Sequence, residues 1–479
     1  MNIRRRRGSE AAQPKEWNAA KAIYTALMGV LLVPGYFYVI CTYTEPTFGG
    51  APYAFPAIFW VLRCVTAVMA LAIGKLWKDK GFLILTGYLL LKFLRVYLDT
   101  PASVFESTVS ESLLCGLWVF SACYGLGHIL SPKQIRGFFR ICAVLWTVGA
   151  VIYAAIGIYA AWTDLQISNP DGLAYWTLAD GGRLFLIYFV TVSGAVLSIS
   201  AMIALCGMLT EKHMITRVLY GVAALIMLLA LSLCDSRTAQ VTVSAGIGMT
   251  VGIMILRLHR GREKRPWYAW ALAVAAAGAC FAVSVVAIMK TISVFSELKL
   301  RGGVLVSSAL ADGNGVAISN RGYKGGEAML TSRPMIWRSA VNYMLQNRKV
   351  LLYGTSILNP MNGVNATPPL TFWASHCHCM PLMILLENGI PGVILVGCFL
   401  VYIGVCAFRI ATSKKKPLWQ MLIPAVIVSV LAGELVECFT WLRAGQVPVL
   451  PFVFVAMGFV SATGRKKNQL TNMKEEIVG

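Results

Sequence analysis

Runs of about 20 apolar residues recur along this chain, and a run of that length has few ways to fold. Inside a bilayer no water is present to satisfy backbone N–H and C=O groups, so such a run spans as a helix. Candidate spans lie at about 22–41, 52–74, 81–98, 110–130, 138–161, 184–208, 215–234, 238–258, 267–289, 392–408, 419–440 and 447–463. The hydrophobic share of 57% over 479 residues excludes a soluble fold of ordinary composition. The expected class is an all-α polytopic membrane protein with about twelve transmembrane helices and one large extracytoplasmic loop.

The charges orient these helices. A formal net charge of +21 would suggest nucleic acid in a soluble protein. Here the basic residues fall in short clusters between apolar runs, the pattern of cytoplasmic loops. With Arg4–Arg7 placed inside, the inner segments contain KLWKDK (75–80), PKQIRGFFR (132–140), TEKHMITR (210–217), RLHRGREKR (257–265), RIATSKKKP (409–417) and GRKKNQ (464–469). The short outer loops, 42–51, 99–109, 162–183, 235–237 and 441–446, hold only Arg183, Arg237 and Arg443, against about 27 basic residues inside. The expectation is a multi-pass protein of the cytoplasmic (inner) membrane with both termini in the cytoplasm. Its partners include membrane lipids and no nucleic acid. MNIRRRRGSE lacks a cleavage pattern near a short apolar core, so the first span reads as an uncleaved helix.

One segment is too long to be a connector. Residues 290–391 are mostly polar and fall outside; they separate a nine-span bundle (1–289) from the last spans and basic tail (392–479). The segment opens Gly-rich, turns helix-like at SRPMIWRSAVNYMLQNRK, and becomes turn-rich at YGTSILNPMNGVNATPPL. Long loops on a rigid scaffold carry function. No sequence repeat is present.

The segment ends in Ser375-His-Cys-His-Cys-Met-Pro, where two histidines alternate with two cysteines. Zinc accepts both residue types. All four lie within four consecutive residues, however, and so short a run rarely encloses a tetrahedral ion, so no metal and no cofactor is expected. The thirteen cysteines are odd in number and irregularly spaced, which argues against a disulfide framework. Imidazole has an unperturbed pKa near 6.5 and, when neutral, accepts a proton from an attacking hydroxyl. His376 and His378 are the candidates, since His128, His213 and His259 fall at cytoplasmic ends; a solvated outer-loop histidine is the plainer account. On a helical continuation the two rings would point about 200° apart.

Arg237 stands in a tight outer turn, LSLCDSRTAQ, and Arg333 and Arg338 stand in TSRPMIWRSA. Guanidinium grips paired phosphate oxygens; snorkelling to headgroups or an ordinary charged helix face also accounts for them. Charges inside spans are costly and so more informative. Arg63 lies in the second span. Lys92 and Arg95 share a face of the third, with Asp99 a turn beyond, and Glu434 and Glu437 repeat that spacing in the eleventh. They form either structural ion pairs or a polar cavity for a charged headgroup.

In order, the outer "SR" turn, the "SRPMIW" motif and "HCHCMPLMILLENGIPG" resemble the O-antigen ligase and O-antigen polymerase family. In that family a histidine, usually followed by asparagine, precedes a run like LxxLLExGIxG. Counting back nine residues from Glu387 gives His378; the asparagine position is Cys379, a departure. The specific match covers mainly residues 230–240 and 330–395. The resemblance implies a metal-independent inverting glycosyltransferase. Its donor would be a glycan on a polyprenyl (undecaprenyl) diphosphate carrier, and its acceptor a glycan, lipid or wall polymer. It implies that Arg237 and Arg333 bind the diphosphate and that His378 deprotonates the acceptor hydroxyl. A transporter or flippase of lipid-linked glycans, using Arg63, Lys92 and Arg95 along its path, is the competing class.

Overall fold

The computed structural model describes residues 19–32, 57–99, 107–163, 167–168, 174–179, 183–185, 190–234, 236–259, 267–301, 333–355, 360–371, 374, 376–437 and 450–464. The Arg4–Arg7 cluster, the outer loops 42–51 and 441–446 with Arg443, the Gly-rich stretch through 302–332 and the tail from 465 lie outside the described residues.

The helices are α1 (Ala19–Leu32), α2 (Ala57–Gly74), α3 (Lys80–Asp99), α4 (Ser107–Trp118), α5 (Tyr124–Ile129) and α6 (Pro132–Thr163). A π-turn, Val119–Cys123, joins α4 to α5. Three short strands follow: β1 (Ile167–Ser168), β2 (Ala174–Ala179) and β3 (Arg183–Phe185). Then come α7 (Val190–Thr210), α8 (Met214–Leu233), α9 (Arg237–Leu258), α10 (Trp267–Arg301), α11 (Arg333–Gln346), α12 (Arg348–Tyr353), α13 (Asn362–Asn365), α14 (Met380–Ala411), α15 (Leu418–Glu434) and α16 (Leu450–Gly464).

Seven of these helices, α3, α6, α7, α8, α9, α10 and α14, are long and apolar enough to cross a membrane. Five shorter apolar helices coincide with the other expected spans. The element bounds correct the sequence expectation in three places. First, the fold is all-α as expected, but the 162–183 connector is not a plain loop: it carries a small antiparallel sheet of order β1-β2-β3, with Leu178 opposite Leu184 and Ala179 opposite Arg183. The β-forming run Tyr175-Trp176-Thr177, followed by Asp180-Gly181-Gly182, is the hairpin signal. Second, α10 runs on to Arg301, so helix occupies the first twelve residues of the expected 290–391 loop. At 35 residues it extends about 50 Å, well beyond a hydrocarbon core of about 30 Å. Third, α14 begins at Met380 rather than near 392, and it bends at Gly389.

The bend builds a small separate unit. The described residues of 333–390 share a core of Ile336, Ala340, Met344, Val364, Cys377 and Leu386, among others. Asn365 ties the chain crosswise: its Oδ1 accepts from the Ala374 N–H and its Nδ2 donates to the Ala374 carbonyl, both at 3.0 Å. Gly354 (φ 84°) and Gly389 (φ 62°) pass backbone against backbone, where a Cβ on Gly354 would collide with the Glu387 carbonyl and one on Gly389 with that of Leu352. The Thr355 N–H donates to the Leu386 carbonyl at 2.7 Å across the same crossing. Only glycine meets both the left-handed backbone and the close approach. Gly354→Ala is therefore expected to lower stability by at least ~1 kcal/mol, since alanine is incompatible with a positive φ. A thermal melt of the purified variant checks this, and an unchanged midpoint would refute the tight crossing.

α3 anchors this elbow. Tyr88, Lys92 and Arg95 lie on one face of it. The Arg95 Nη2 donates to the Gly354 carbonyl at 3.1 Å, the Asn388 Nδ2 donates to the Tyr88 hydroxyl at 3.3 Å, and Lys92 interacts electrostatically with Glu387. At the other end of α3, buried Asp79 accepts from the Phe82 N–H, the Tyr124 hydroxyl and the Ser461 hydroxyl, fastening α3 to α5 and α16.

Candidate functional site

The His-Cys-His-Cys stretch is a turn, not the start of a helix. His378 takes a left-handed backbone (φ 49°), Cys379 is extended, and α14 begins only at Met380. Histidine tolerates that region better than most residues. Trp337 of α11 fixes the turn by donating its Nε1–H to the Cys377 carbonyl at 2.8 Å. The consequence corrects the expected 200° separation of the two rings: His376 and His378 lie with centroids 4.0 Å apart. Cys377 instead points into the core shared with α11, fully buried, with its sulfur 3.7 Å from that of Met361.

Both rings face one carboxylate. Glu437, just beyond the last turn of α15, places Oε1 and Oε2 2.8 and 3.0 Å from the His378 Nδ1. The His376 Nδ1 is 3.5 Å from Oε1. Arg333, the first residue of α11, donates its Nη2–H to Glu437 Oε2 at 3.0 Å and to the Thr238 hydroxyl at 3.1 Å. Thr238 follows Arg237, which opens α9, and Ser236 caps that helix by accepting from the Ala239 N–H. The N-terminus of α9 and the Arg333 guanidinium thus meet at one corner, an arrangement suited to an anion.

Glu437 is buried, at 2% exposure. The Arg333 guanidinium, 3.0 Å away, sets a permanent positive charge beside it. As a carboxylate Glu437 only accepts. It keeps the His378 proton on Nδ1 and leaves the Nε2 lone pair free, the arrangement of an oriented general base. His376 differs, because its Nδ1 accepts from the His378 backbone N–H at 3.2 Å. In a neutral His376 the proton then sits on Nε2, so that edge donates rather than accepts.

The structure sorts the other expected residues. Arg338 is exposed, and five residues along a helix from Arg333 turns it about 140° away from the cluster. Arg63 is held by aromatic rings, its guanidinium 4.8 Å from the Trp60 centroid and 4.9 Å from that of Trp118, with Nη1 3.2 Å from the Cys115 sulfur. Lys92 and Arg95 belong to the elbow. Glu434 is fully buried at the end of α15. Of the five intramembrane charges read as one cavity set, Glu437 is the one seen in contact with the histidines and Arg333 among the described interactions.

His376, His378 and Glu437 also form the one described group with metal-ligand potential, their ligand atoms all within 4.8 Å of one another. The sequence argument against a metal assumed His-Cys-His-Cys as the whole ligand set, whereas the structure replaces the cysteines with a distant carboxylate. A cation there would stand against the Arg333 guanidinium, which already occupies Oε2.

The O-antigen ligase family model matches residues 222–397. Over that stretch the chain is similar to O-antigen ligases. The matched stretch contains Arg237, Arg333, His376 and His378, while Glu437 reaches the site from beyond its end. No curated protein matches the chain. The long apolar helices, together with the family match, mark a membrane protein.

Proposed function

We propose that the chain is a membrane glycosyltransferase that moves a glycan from a polyprenyl-diphosphate carrier to an acceptor hydroxyl, inverting the anomeric centre. The observation that carries this reading is Glu437 bridging His378 and Arg333. The acceptor oxygen attacks the anomeric carbon while the bond from that carbon to the diphosphate oxygen breaks. The acceptor proton passes to the His378 Nε2, and the leaving diphosphate keeps the bonding pair. Arg333, Arg237 and the first turn of α9 neutralise the charge it develops. A diphosphate is already a good leaving group, so positioning, anion stabilisation and one base suffice, and neither a metal nor a cofactor is required.

The same reading places the site on the outer face of the cytoplasmic membrane, with about twelve crossings, both termini inside and the unit around 333–390 outside. The loop charges support that orientation. It keeps the division into a nine-span bundle (1–289), a catalytic outer segment (290–391) and a C-terminal part (392–479). Arg338, exposed beside the site, is assigned to contacts with the distal glycan or lipid headgroups.

Arg333→Lys tests the diphosphate role. Lysine keeps the charge but offers no planar fork. The expected result is a loss of donor affinity of about tenfold or more, in line with ~1.5–3 kcal/mol for a hydrogen bond to a charged group. Binding of a purified lipid-linked diphosphate measures it, and a lysine variant matching wild type while alanine fails would leave only a charge effect. The lipid-linked glycan that accumulates without the protein separates the reactions: single repeat units indicate a polymerase, and long chains still on the carrier indicate a ligase. Neither accumulating outside, with undelivered donor held inside, would favour a flippase.

A further inference from the structure

At the other end of the bundle from the histidines lies a second site. A cavity of about 170 Å³ opens between α6, α7, α8, α15 and α16. Trp419 and Leu422, in the first turns of α15, line it, whereas the far end of the same helix leads to Glu437. Its wall is apolar, formed by Trp146, Ile199, Ile423, Val426 and Phe452, among others. Arg136 and Arg140, one turn apart on α6, stand at its mouth. The Arg136 guanidinium lies 5.9 Å from the Trp419 ring centroid, and Arg140 pairs with Glu211 at 2.8 Å.

From this geometry we infer that the cavity binds one acyl chain of an anionic phospholipid from the cytoplasmic leaflet. Depth is the first argument. Arg136 to Trp146 spans ten residues of helix, about 15 Å, which is half of a hydrocarbon core of about 30 Å. The slot therefore reaches as far as one leaflet does. Charge is the second argument. The three segments that end these helices, 132–140, 210–217 and 409–417, carry Lys133, Arg136, Arg140, Lys212, Arg217, Arg409 and Lys414–Lys416 against a single acid, Glu211. An apolar slot with a guanidinium rim is complementary to a fatty chain that ends in a phosphate. The Glu211 pair leaves Arg136 without an acidic competitor among the described salt bridges, so it is the residue that meets the phosphate.

The test uses the full chain in phosphatidylcholine nanodiscs with a phosphatidylglycerol probe that carries a photoreactive acyl chain. Crosslinks are expected in peptides covering 136–146, 199–211 and 419–426, and unlabelled phosphatidylglycerol should displace them where phosphatidylcholine does not. Each basic residue near an anionic surface contributes about 1 kcal/mol, or about fivefold. Arg136→Gln with Arg140→Gln should therefore lower labelling by at least about fivefold. Ala143→Trp, which fills the slot, should abolish it. Should that variant fail to fold, the exposed arginine pair still decides. Equal displacement by phosphatidylcholine, unchanged labelling in the arginine double variant, or unchanged labelling in a folded Ala143→Trp protein overturns the proposal. Displacement by a polyprenyl phosphate at lower concentration than phosphatidylglycerol also overturns it, because the occupant would then be the carrier.

Discussion

His378→Ala is expected to cut turnover of a purified lipid-linked donor by about 10²–10⁴-fold, the range a positioned base contributes. Donor binding should hold near its wild-type value, because Arg333 is also bonded to Thr238 and does not need the imidazole. His376→Ala should cost on the order of fivefold, what one neutral hydrogen bond contributes at ~1 kcal/mol, since its Nδ1 is engaged by the His378 N–H. Turnover and donor binding measured side by side for both variants decide the assignment. A near-normal His378→Ala beside an inactive His376→Ala would move the base to His376. Full activity in both would remove proton transfer from the mechanism and make a translocating role the stronger reading.

The apolar runs and loop charges marked where the helices stand, because a membrane helix writes its length and hydrophobicity into contiguous residues. The three motifs marked Arg237, Arg333 and the histidine pair for a related reason, since each is a local run. Tertiary information was not local. Glu437 could be singled out as a costly intramembrane charge, but nothing in the sequence says that it receives residues 59 and 104 positions away. Lys92 and Arg95 read equally well as cavity residues; only the backbone crossing of Gly354 and Gly389 shows that they brace an elbow. The relation of the two histidines was misjudged because a helix was extended backwards past Met380. The residue that breaks it, His378, has no glycine or proline to announce a left-handed turn. A signal did exist for the sheet, in the β-forming run Tyr175-Trp176-Thr177 and the Asp-Gly-Gly that follows, but hydropathy windows of helical length average over it.

The carboxylate offers the sharper test of mechanism, because its removal should separate two quantities that simple unfolding would lower together. In Glu437→Gln the imidazolium formed during attack loses its counter-charge, and the amide, free to offer either oxygen or nitrogen, no longer fixes the proton on the His378 Nδ1. Turnover is expected to fall by about 10²–10⁴-fold, as for loss of the base itself. Donor affinity should be unchanged or higher. The lost negative charge lies 3.0 Å from Arg333 and opposes an incoming diphosphate. A structural defect would instead weaken both. Turnover and donor binding are therefore measured on the same purified variant. A Glu437→Gln protein that turns over near the wild-type rate, or that loses donor affinity in step with turnover, would remove the support for the oriented-base mechanism.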